Sequence, residues 1–256
     1  MLAVTVPDLP DRVAENDSPL YVGGLTIHLA PASGRTGVSV TVERDARIVA
    51  KVPADADRDA LAALIRTRLA WLYAKVNTRR AEVAERPRRR FIDGEGFWYL
   101  GRSHRLKLTD DLAASPVALK NGRLHLRRDH RDTAEHDLVV WYTARGRDWL
   151  PGRMRPWTQR MDTPTVGLNV RALGYRWGSC SHHGTVNIHW AVMQLPVRLI
   201  DYVLVHELVH LHHPHHTPEF WRAVGRTLTD YEHRRRELDE WGAGIWLPEA
   251  AAALRS

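Results

Sequence analysis

The segment Val205-His206-Glu207-Leu208-Val209-His210-Leu211-His212-His213-Pro214-His215-His216 opens on a His-Glu-x-x-His pattern. On a helix, side chains four apart share a face, so the His206 and His210 rings can converge on one ion. Glu207 follows the first histidine and can reach a water on that ion without binding the ion itself. Two imidazoles, a carboxylate general base and an open coordination position make the pattern of a Zn2+ hydrolase.

The pattern needs a helix, and its neighbours supply the signals for one. Pro196 suits a first helical turn. Val197 to Leu211 holds no Gly or Pro, and Ile200, Val203, Leu204, Leu208 and Leu211 recur at spacings of three and four. Pro214 is expected to end the helix, since it has no N–H and restricts the residue before it. A catalytic zinc keeps three protein ligands and one water. The third ligand is sought among His212, His213, His215, His216, Glu219, Glu232 and Glu237. His212 and His213 follow His210 too closely to aim at the same point. His216 lies beyond the Pro214 turn, just before the helix-start signal Thr217-Pro218-Glu219, and is preferred, with His215 second.

These residues carry a family resemblance. Arg176-Trp177-Gly178-Ser179-Cys180-Ser181, Gly184-Thr185, Trp190, Pro196, Ile200-Asp201-Tyr202-Val203, the histidine motif, His216-Thr217, Phe220-Trp221 and Asp230-Tyr231 occur in an order that resembles the YgjP-like metallopeptidases. Upstream, Tyr99-Leu100-Gly101-Arg102 and the helix around Trp71 fit the same pattern more loosely. The resemblance implies an α+β, zincin-like fold in which a small mixed or antiparallel sheet packs on the metal-binding helix, with an N-terminal β-rich and helical extension. It implies zinc held by His206, His210 and His216, Glu207 as catalytic base, and a peptide or protein substrate. One departure stands out: the family pattern has Asn before Trp190, and this chain has His189. The SprT-like zinc proteases, which act near DNA, are similar around the motif helix. No zinc-ribbon cysteines or recognisable nucleic-acid module accompany that likeness here.

The remaining sequence bounds the reading. At 256 residues the chain is long enough for one large domain or two small ones. Its 44% hydrophobic and 26% charged content is ordinary for a soluble globular protein. The N-terminal residues show no signal-peptide pattern, and no apolar run approaches the roughly 20 residues of a membrane span. The single cysteine, Cys180, permits no internal disulfide, so a cytoplasmic location is expected. Net charge is +7, concentrated at Arg79-Arg80, Arg86, Arg88-Arg89-Arg90 and Arg234-Arg235-Arg236. It reads as a solvated basic face, with nucleic acid as the alternative partner. A zinc module that binds peptide or nucleic acid without turnover is the alternative function, although a purely structural site has no need of Glu207.

Four regions are expected: a tail over 1–18, a strand and helix region over 19–90, a metallopeptidase domain over 91–246 with its motif core at 165–242, and a frayed C-terminus over 247–256. In the second region Tyr21 to Leu29, Gly37 to Glu43 and Ile48 to Val52 read as strands, with a turn over Ala32 to Gly34. Asp57 or Asp59 caps a helix running to about residue 84, with Trp71 and Tyr73 read as core. Pro87 marks the boundary. Asn121-Gly122 predicts a hairpin turn. Residues 133 to 161 read as helix, interrupted at Gly146, Pro151 and Pro156. Thr165 to Leu173 predicts a strand, and Gly174 to Cys180 with Thr185 to His189 a hairpin whose open edge can take an extended peptide. Cys180, Trp177 and Trp190 read as apolar packing, Asp201 as a solvated helix residue, and Asp230 as a helix N-cap, with a hydrogen bond to a ligand histidine as its alternative. His182, His183, His189 and Tyr231 are candidates for an oxyanion donor, and nothing in the spacing selects among them.

Overall fold

The computed structural model describes residues 18–32, 37–43, 46–53, 56–85, 89–111, 113, 115–163, 167–174, 176–181 and 184–248. The tail up to residue 17, the Pro87 boundary, His182, His183 and the chain from residue 249 lie outside the described residues, as does part of the turn at Ala32 to Gly34. The chain forms two compact units, Met1–Glu85 and Arg86–Ser256.

The first unit is a four-stranded sheet of order β1-β2-β4-β3: β1 (Leu20–Val22), β2 (Leu25–Pro31), β3 (Ser39–Val42) and β4 (Ile48–Val52). β2 and β4 are parallel, and the other pairs are antiparallel. The expected strand Tyr21 to Leu29 is broken in two by a turn at Gly23 and Gly24, both at positive φ, a backbone state that favours glycine. Helices α1 (Arg58–Arg66) and α2 (Leu69–Glu85) replace the single expected helix. Asp57 caps α1, its side chain accepting from the Asp59 N–H at 2.9 Å. The core gathers Ile27, Ile48, Ala50, Leu61, Ile65, Leu72 and Val76. Trp71 and Tyr73 are not core: they are 48% and 42% exposed. Leu72 between them takes the inward position, and adjacent helical residues point about 100° apart. The Tyr73 hydroxyl instead donates to the Gly23 carbonyl.

The second unit holds two sheets. One has the order β5-β6-β8-β7, from β5 (Gly96–Tyr99), β6 (Arg102–Thr109), β7 (Val117–Lys120) and β8 (Arg123–Arg127). Asn121 and Gly122 turn between β7 and β8 at φ 50° and 73°, as a two-residue hairpin requires. The other sheet is mixed, of order β10-β11-β9: β9 (Gly167–Arg171), β10 (Gly178–Cys180) and β11 (Thr185–His189). β10 is antiparallel and β9 parallel to β11.

A long helix, α3 (Ala134–Arg160), packs between these elements and contains Pro151 and Pro156 without interruption. The expected break is absent for two reasons. Leu138, Tyr142, Leu150 and Met154 hold one face in the core. Both prolines, and Arg147 and Gly152 whose carbonyls they leave without an N–H, lie on the exposed face where water can serve. Gly146 is buried rather than disruptive: a Cβ there would stand 3.0 Å from Val170 Cγ1 of β9.

Three shorter helices complete the unit: α4 (Val197–Val209), α5 (Pro218–Thr227) and α6 (Tyr231–Gly244). α4 is the centre of the core, with Leu199 to Val205 buried continuously. Asp201 is correspondingly not solvated. It is 5% exposed and accepts from Arg153 Nε at 2.6 Å and Trp157 Nε1 at 3.1 Å, tying α4 to α3. The β5–β6 turn abuts the start of α4. Gly101 sits at φ 75°, and a Cβ there would lie 2.7 Å from the Pro196 backbone. Leu100 N–H also bonds to the Met193 carbonyl at 2.8 Å. No helix among the described residues is long and apolar enough to cross a membrane.

Candidate metal centre

α4 ends sooner than Pro214 would impose. His210 is its C-cap, and the chain tightens through bonds from Leu211 N–H to Leu208 and from His212 N–H to Val209. The early stop lets the loop after His210 fold back and deliver His216. The ligand nitrogens of His206, His210 and His216 lie within 4.8 Å of one another, and Nε2 of His206 and His216 are 2.9 Å apart. Phe220, fully buried on α5, stands beneath all three rings at 4.6 to 4.9 Å between centroids. Trp221 stacks on His216 at 5.5 Å and 23°.

Burial and mutual proximity disfavour positive charge on this cluster. Burial first, then the neighbouring His210 and His216, depresses His206 to about 3. Burial also lowers His210 and His216 from the ordinary histidine range. His210 Nδ1 faces the His213 carbonyl at 3.1 Å, which fixes Nδ1–H as donor and leaves Nε2 with its lone pair. Nδ1 of His206 is buried without a partner among the described residues.

The donor set fits a zinc ion. Three neutral imidazoles are a catalytic zinc ligand set, and tetrahedral ligands at about 2.0–2.1 Å stand roughly 3.3 Å apart. The 2.9 Å between the two Nε2 atoms is close to that spacing. Glu207, 5% exposed, lies against Gly178 of β10. Burial raises its carboxyl to about 8, against the opposing charge of Arg176. Its place depends on Gly178: a Cβ there would meet Glu207 Oε1 at 2.5 Å and Cγ at 2.6 Å. The sequence contained that glycine within the Arg-Trp-Gly-Ser-Cys motif but no sign of what it faces.

The other candidate residues are elsewhere. His212 and His213 line a separate cavity of about 380 Å³ with Arg160, Met161, Val209, Ala223, Arg226 and Thr227. His215 is exposed and belongs to no metal-ligating cluster of three among the described residues. Glu219 pairs with Arg222, Glu237 with Arg198, and Glu232 takes the Tyr231 hydroxyl at 3.3 Å. Asp230 occupies the N-cap position of α6 without a side-chain cap bond and pairs with Arg234, not with a histidine. His189 is buried, its Nδ1 accepting the Ala191 N–H at 3.0 Å. Trp190 is buried, Trp177 partly so, and Cys180 is half-buried with its thiol pushed up by burial and by Glu207.

A small mixed sheet packed against a helix that carries this histidine pair defines a zincin-like metallopeptidase fold. The YgjP-like metallopeptidase domain matches residues 36–241, and the chain belongs to that family. The match takes in β3, β4, α1 and α2 as well as the second unit up to Trp241. Among solved structures, the crystal structure of the metallopeptidase zymogen of Pyrococcus abyssi abylysin is similar at 22% identity. It covers 36% of this chain and 95% of its own, with a TM-score of 0.32. No curated protein matches the chain.

Proposed function

We propose that this protein is a zinc-dependent peptidase in which His206, His210 and His216 hold the metal and Glu207 is the general base. The observation that carries the reading is the convergence of three imidazoles within 4.8 Å, next in the chain to a buried carboxylate. A zinc ion held there would supply a Lewis acid for the carbonyl and would lower the pKa of a water to about 7. Glu207 would serve as the base that takes a proton from the attacking water and returns it to the leaving amine. A dication among the adjacent rings would oppose the burial that raises Glu207 and so would favour the ionised base. β10 is an end strand of its sheet, and its Gly178 abuts Glu207. We take this edge as the register for an extended peptide, which would then run past the base. Cys180 as the single cysteine supports a cytoplasmic location.

The test is metal content and cleavage of an unfolded protein, with and without chelator, for the wild type, His216→Ala and Glu207→Gln. The expected result is about one zinc per wild-type chain and chelator-sensitive cleavage. His216→Ala should lose or greatly weaken zinc. Glu207→Gln should keep zinc and lose cleavage by at least about 100-fold. Stoichiometric zinc without cleavage would favour a binding module, and full activity of the Gln variant would remove Glu207 as base.

A further inference from the structure

The arginines around the histidine cluster are not equivalent. Arg222 pairs with Glu219, Arg234 with Asp230, and Arg198 with Glu237. Arg235, between Arg234 and Arg236 on α6, has no carboxylate within ion-pair distance among the described residues. Its guanidinium lies over the Trp221 ring, 4.9 Å from the centroid. That ring is the one stacked on His216, and it stands 5.9 Å from His206. Tyr231 stacks on the same ring at 5.8 Å and 18°. An exposed cation is thus held by the aromatic wall of the cluster, with no carboxylate in direct contact among the described residues.

A fixed positive charge beside a dication site does not help to hold the dication, because like charges repel more strongly in a partly dry site. Its placement becomes favourable when a negative group enters with the substrate. A guanidinium offers a planar fork matched to a carboxylate, and stacking on an aromatic ring leaves its N–H groups free at the edge. We propose that Arg235 binds a carboxylate of the peptide entering the three-histidine site, selecting substrates that carry negative charge near the scissile bond. The carboxylate is either an Asp or Glu side chain or the C-terminus of the substrate. The proposal rests on the peptidase reading above.

The experiment measures binding rather than turnover. Protein carrying Glu207→Gln is loaded with zinc, its metal content is measured, and it is titrated with four fluorescent alanine-based heptapeptides. These carry a central Glu or Gln, each with a free or an amidated C-terminus. A carboxylate-bearing peptide should bind roughly 10-fold or more tightly than its neutral partner. Preference following the central residue identifies the side chain as the source, and preference following the terminus identifies the C-terminus. Adding Arg235→Gln should erase the preference, whereas Arg236→Gln should preserve it. Arg235→Gln should also hold zinc at least as tightly as before, since an opposing charge has gone. Equal binding of all four peptides, binding of none, or a preference that survives Arg235→Gln would overturn the proposal. So would weaker zinc in that variant, which would make the arginine a prop for the site. Absence of zinc from the starting protein would instead sink the peptidase reading and this proposal with it.

Discussion

At the scale of single residues, the candidate site depends on what is missing at position 178 as much as on what is present at 207. Glu207 lies where a β-carbon on Gly178 would have to go, at 2.5 Å from its Oε1. A Gly178→Ala chain must therefore move either β10 or the carboxylate. Overpacking of this kind typically costs about 1–3 kcal/mol. We expect Gly178→Ala to lower thermal stability in that range. Zinc should be retained, because the three histidines come from α4 and the loop before α5. Cleavage should fall by at least about 10-fold, because the base is displaced. Paired measurement of melting temperature, metal content and turnover would test this, and unchanged turnover would show that Gly178 does not govern Glu207.

At the scale of elements, the metal helix is held in place from outside itself. Asp201, one and a half turns before His206, receives Arg153 and Trp157 from α3. Removing a buried acceptor leaves those donors without their bond, at a typical cost of about 1–3 kcal/mol. Asp201→Ala should therefore destabilise the protein by that amount in denaturant unfolding, with a smaller loss in Asp201→Asn, which keeps an acceptor oxygen. A change below about 0.5 kcal/mol in the Ala variant would show that water replaces the carboxylate. The same external support explains why α3 runs through two prolines. Its buried face is fastened to the sheet and to α4, and the exposed face absorbs the lost hydrogen bonds.

At the scale of the whole molecule, the chain has two cores. The first lies within residues 22–76, and the second runs from Phe91 to Trp246 and surrounds the histidine cluster. Every residue assigned to the metal centre belongs to the second unit. A fragment starting at Arg86 should accordingly fold and bind about one zinc per chain, measured by metal analysis and near-ultraviolet circular dichroism. Failure to fold would mean that the first unit completes the second core. The family match begins at residue 36, inside the first unit, so loss of peptide cleavage with zinc retained would assign that unit to substrate handling.

The sequence by itself determined what is local: the spacing of His206, Glu207 and His210, the helix that bears them, the Asn121-Gly122 hairpin turn and the strands β3 and β4. Such features follow from periodicity and backbone preference within a few residues. For the third partner of the histidine pair it preferred His216, with His215 second, but the loop after His210 has no period from which to read their convergence. Only the tertiary structure ends α4 at Val209, turns the chain back and brings His216 to 2.9 Å from His206. It alone buries Asp201, exposes Trp71 and Tyr73, and sets Gly178 against Glu207. Those outcomes depend on which side of an element meets which neighbour, and that is decided by packing across long stretches of chain rather than by the residues alongside.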